Sequence, residues 1–223
     1  MTLSKTMNPL TSPKTAAYSA IGAAGVTLLW LVALHFLSPE FDPAWRMVSE
    51  YANGRYAWAL SLFFICWAIS SWALAAALWS QVTTRAGKIG LYFLVAAGVG
   101  EFMGGLFDIN HPLHGVSALI GIPSLALAAM LLSFSLIKND SWASAKPGLL
   151  GLAHLTWISI VLMAVAFGVL IGTVIQSGVE MTGEPFTTVP QGVIAVVGWA
   201  NRWLVLVYNG WVIFTAQLAA KNQ

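Results

Sequence analysis

Residues 16–37, AAYSAIGAAGVTLLWLVALHFL, carry no Asp, Glu, Lys or Arg. A helix rising ~1.5 Å per residue needs about 20 such residues to cross a ~30 Å hydrocarbon core. The stretch outlasts the roughly 7–15 apolar residues of a signal peptide. Its exit, HFLSPEFDP (residues 35–43), lacks a small-x-small cleavage pattern, so the segment reads as a retained span. Five further apolar runs follow at about 57–80, 89–107, 115–137, 148–175 and 193–218. Barrel strands would be about half as long and would alternate in polarity. The expected fold is therefore all-α: a polytopic bundle of six transmembrane helices. Residues 16–219 read as one membrane domain and residues 1–15 as a polar tail.

Composition agrees. The chain is 58% apolar and 8% charged, with a mean hydropathy of +0.79. A soluble domain usually carries about 25% charged residues. The net charge of +2 and the lack of a basic cluster argue against nucleic-acid binding. No P-loop, no CxxC and no dinucleotide-binding fingerprint occurs, and Cys66 stands alone in an apolar run.

The cations set an orientation. Lys5, Lys14, Arg85, Lys88, Lys138, Lys146 and Lys221 fall on one side of the bilayer; Arg46 and Arg55 fall on the other. The positive-inside rule then predicts cytoplasmic N- and C-termini in a multi-pass membrane protein, with the lipid bilayer as its partner. The fifth connection, carrying only Glu180 and Glu184, suits an external loop. Gly100 with Gly104, and Gly168 with Gly172, form GxxxG pairs expected to serve contacts inside the bundle. Pro123 is expected to kink the fourth span.

The informative residues are polar groups set where lipid makes them expensive. Glu101 and Asp108 share an i,i+7 relation in the third span, as do Arg202 and Asn209 in the sixth. Their matched depths predict a Glu101–Arg202 ion pair, serving either helix register or a gate or carboxylate-binding site. A second group gathers at the external face: His35, Glu50, Asp108, His111 and His114. Asp108, His111 and His114 are of zinc-ligand type, although Pro112 interrupts regular helix between them. Capping and loop bonding are the competing uses of the same side chains.

Three motifs follow one another: DPAWRMVSEYANG (residues 42–54), GLFDINHPLHGVSAL (105–119) and VGWANRWLVLVYNGW (197–211). In this order the chain resembles the bacterial membrane family known as domain of unknown function 998, over nearly its whole length. The matching positions are Asp42, Pro43, Ser49, Glu50 and Tyr51, then Phe107, Asp108, His114, Gly115 and Ala118, then Arg202. The chain departs from the family pattern where Asp108 directly follows Phe107 and where Asn201 precedes Arg202. The resemblance implies a six-span bundle and singles out Glu50, Asp108, His114 and Arg202 as a set.

The leading functional expectation is an outward-facing pocket built from Ser49, Glu50, Asp108, His114 and Arg202 that binds or senses a lipid headgroup or small molecule. No cofactor is required for that. One alternative is a zinc-dependent membrane hydrolase using Asp108, His111 and His114. A further alternative is a small transporter.

Overall fold

The computed structural model describes residues 12–178 and 188–222. Residues 1–11 of the tail, with Lys5, and the fifth-connection residues Glu180 and Glu184 lie outside the described residues. The fold is all-helical. Helix α1 is Pro13–Leu37, and a 3-10 helix, Val48–Asn53, follows in the first connection. The other elements are α2 (Ala57–Leu78), α3 (Arg85–Leu106), α4 (Leu113–Leu136), a one-turn α5 (Asp140–Ala143), α6 (Lys146–Gln176) and α7 (Val197–Lys221). Six of these, α1–α4, α6 and α7, are long and apolar enough to cross a membrane. The chain is a multi-pass membrane protein.

Local chemistry sets the ends that hydropathy misses. Ser12 caps α1 through its Oγ, which accepts from the Thr15 amide, and Pro13 follows at the first helical position. Thr84 caps α3 in the same way, accepting from the Gly87 amide, so that helix begins before its apolar run. At the other extreme, residues 193–196 are apolar but not helical, and α7 starts at Val197 rather than at 193.

The six spans close into a ring, each packed on the next in the order α1, α2, α3, α4, α6, α7 and back to α1. Helix α7 also reaches α2 across the ring, whereas it barely meets α4. Burial follows this order: 61% of the most apolar window of α7 is buried, against 17% for α6. Helix α7 is thus the hub, and α6 turns most of its surface to lipid.

The two GxxxG pairs part company. A Cβ on Gly100 would stand 2.6 Å from Gly121 Cα and 2.7 Å from the Ser117 carbonyl, so α3 and α4 cross there in direct backbone contact. Gly104 gives room to the Phe64 ring of α2. Gly168 and Gly172 have nothing within 4 Å and do not serve an internal contact, contrary to expectation. They belong to the outward face of α6. Pro123 lies inside α4, where its missing N–H leaves the carbonyl one turn earlier without its usual helical donor.

Candidate functional site

The first two turns of α7 hold the first connection. Gly198, Asn201 and Arg202 are spaced i, i+3, i+4, which puts them on one helical face. Gly198 admits the loop: a Cβ there would meet the Arg46 carbonyl and the Trp45 amide nitrogen, each at 2.8 Å. Asn201 Oδ1 accepts from the Val48 amide at 2.9 Å. Arg202, 3% exposed, supplies the rest. Its Nη1 donates to the carbonyls of Pro43 (3.2 Å), Arg46 (2.7 Å) and Gly198 (3.1 Å). Its Nη2 donates to the Tyr51 hydroxyl at 2.9 Å, and its Nε to His35 Nε2 at 2.8 Å. His35 Nδ1 lies 2.7 Å from the Leu31 carbonyl and so carries the ring proton, leaving Nε2 as the acceptor that the guanidinium needs.

Glu50 completes this clasp from within the loop. Its Oε2 accepts from the Met47 amide at 2.6 Å, and its Oε1 pairs with Arg46 at 3.3 Å. Burial lifts the Glu50 carboxyl above its ordinary value of 4.5. That effect outweighs the Met47 amide and the Arg46 and Arg202 charges, which pull the other way.

Beneath the clasp lies a cavity of about 280 Å³. Phe63, Phe64 and Trp67 of α2 line one side, and Glu101 and Gly104 of α3 the next. His114, Ser117 and Gly121 of α4, Met163 of α6, and Asn201, Val205 and Tyr208 of α7 complete the circuit, with Met47, Val48 and Ser49 over it. The space exists because α4 and α7 are held apart, bridged by the Tyr208 hydroxyl donating to the Ile122 carbonyl at 2.8 Å. Glu101 is 6% exposed, and its Oε2 accepts from Ser71 Oγ at 2.8 Å, which leaves Oε1 for the cavity. His114 donates from Nδ1 to the Phe107 carbonyl at 2.9 Å, with Nε2 unpaired among the described residues.

The sequence-derived residues therefore divide. Ser49 and His114 line the cavity; Glu50 and Arg202 are spent on the clasp above it; Asp108 stays in the third connection. The expected Glu101–Arg202 ion pair is not formed. Because α7 begins four residues later than hydropathy implies, Arg202 sits only about one and a half turns inside it and reaches the loop instead.

Asp108, His111 and His114 do not converge either. Asp108 accepts from the Asn110 amide, and His111 accepts from the Leu113 amide while stacking on Phe107 at 4.6 Å. Among the described residues no three His, Cys, Asp or Glu side chains group closely enough to hold a metal ion. The turn Asp108 shapes has another use: Asn110 Nδ2 donates to Asn53 Oδ1 at 2.8 Å, tying the third connection to the first.

Sequence reasoning passed over Gly198, Asn201, His35 as partner of Arg202, and the aromatic wall with Tyr208. The i, i+3, i+4 spacing in VGWANRW could have revealed the first two. Aromatic residues inside an apolar span carry no such signal.

Among known families, one described as protein of unknown function (DUF998) matches residues 21–213. No curated protein and no solved structure matches the chain.

Proposed function

The chain belongs to the domain of unknown function 998 family, and on that premise we propose that it binds a small amphiphilic molecule in the cavity under the clasped first connection. The carrying observation is a space of about 280 Å³ with apolar walls and a buried carboxylate at its side. Protein interiors are close-packed, and a void of about 280 Å³ lies just under the roughly 300–1,000 Å³ range of small-molecule sites. A few convergent polar groups on an apolar wall are the usual makeup of such sites. The Lys and Arg distribution supports an outward-facing mouth, as both connections over the cavity fall on the cation-poor side.

Glu50 and Arg202 do not form a headgroup clamp in this reading, since their polar atoms are already committed to the loop. Among the described residues Asp108, His111 and His114 do not come together as a metal-dependent hydrolytic site would require, and Pro123 of α4 is the only proline interrupting a span. Mass spectrometry of molecules extracted from purified protein tests the reading. Wild type carries an amphiphile at near-stoichiometric amount, and Ala118→Phe, which fills the cavity from α4, carries none. Equal content in the two proteins would sink it.

A further inference from the structure

We infer that the ligand of this cavity carries a cationic amine, received by Glu101 and an aromatic wall; the inference rests on the proposed binding role. Glu101 is the only Asp or Glu lining the cavity among the described residues, and no Lys or Arg lines it. The nearest candidate cation by sequence, Arg202, is turned to the loop and bonded there through Nε, Nη1 and Nη2. Glu101 thus meets the space with one oxygen taken by a neutral hydroxyl and the other without a partner among the described residues. A buried carboxylate lacking a countercharge is costly, and an ammonium arriving with the ligand removes that cost. A ligand carboxylate or phosphate would add a like charge, and a purely apolar ligand would leave Oε1 as it was.

The wall beside Glu101 adds a second, independent preference. Phe63 packs edge-on to Phe64 (5.0 Å) and Trp67 (5.5 Å), Phe64 stacks on Trp67 at 6.5 Å, and Trp67 meets Tyr208 edge-on at 6.2 Å. All four line the cavity. Aromatic rings attract cations through their quadrupoles, most strongly where water is excluded. They also pack against an aryl or alkyl body. A carboxylate next to an aromatic cluster is the pairing that selects a hydrophobic amine over its neutral counterpart.

The test uses 4-phenylbutylamine and its neutral analogue 4-phenylbutan-1-ol, titrated against the full chain in lipid nanodiscs and followed by saturation-transfer NMR. Wild type prefers the amine by at least about tenfold, and Glu101→Gln, which can still accept from Ser71, brings the two affinities together. Equal binding of both probes to wild type overturns the amine assignment while leaving the binding role standing. So does a preference that survives Glu101→Gln. Should neither probe bind wild type, the cavity is not a small-molecule site of this class and both readings fall. The wild-type comparison alone decides the assignment if the variant does not fold.

Discussion

Arg202 and Glu101 are both buried ionisable residues near the same end of the bundle, and they are used in opposite ways. Arg202 has bonds from Nε, Nη1 and Nη2 to partners on α1, the first connection and its own helix. The Glu101 side chain has one bond among the described residues, from Ser71. The difference teaches how to read an expensive polar group in a membrane span. Bonds from all three guanidinium nitrogens mark a residue that holds the protein together; a carboxyl oxygen without a partner among the described residues, beside a cavity, marks one kept for something else.

The sharpest test of that contrast is stability. Arg202→Met strips the Tyr51 hydroxyl, His35 Nε2 and the loop carbonyls of their donor at once. Each stranded group costs about 1–3 kcal/mol, so the loss reaches at least about 3 kcal/mol in an unfolding titration. Glu101→Gln, by contrast, changes stability by less than about 1 kcal/mol, because the Ser71 bond survives and the side chain keeps its size and shape. Comparable losses from both variants would erase the distinction.

Gly198→Ala probes the clasp without touching charge. Its Cβ would run into the loop backbone at Arg46 and Trp45, so a destabilisation of about 1–3 kcal/mol is expected. An unchanged unfolding midpoint would show that the first connection does not depend on this close approach.

The smallest effect is on pH. Because burial raises the folded Glu50 pKa above 4.5, the folded state keeps a proton that the unfolded chain has already released. Stability contributed by this group therefore falls as pH rises from about 4.5 through the folded pKa, and is level above it. Glu50→Gln removes that slope, so raising the pH across this window disfavours wild type relative to the variant. A wild-type-minus-variant difference that is flat or rises with pH contradicts the burial of Glu50.

How much of this the sequence carried depends on which force was at work. The six spans were legible because lipid demands length and apolarity, and these are additive properties of a run. Helix ends were less so: Thr84 extends α3 through one hydroxyl, and residues 193–196 stay non-helical despite their hydropathy. That four-residue difference moved Arg202 from Glu101 to the loop. Motif order drew attention to Ser49, Glu50, Tyr51, His114 and Arg202, but could not say which face the cavity and which the clasp. That distinction turns on the direction of single side chains, such as Arg202 toward Pro43 and Glu101 toward Ser71, and hydropathy has no term for direction.

The bonds from Arg202 to Tyr51 and His35 join residues 151 and 167 positions apart. During synthesis the segment around Tyr51 leaves the ribosome early and has no guanidinium to receive it until the last helix is inserted. A chain truncated before α7 would then present the membrane with an unfastened loop over an incomplete hollow, a feature that quality-control proteases can recognise.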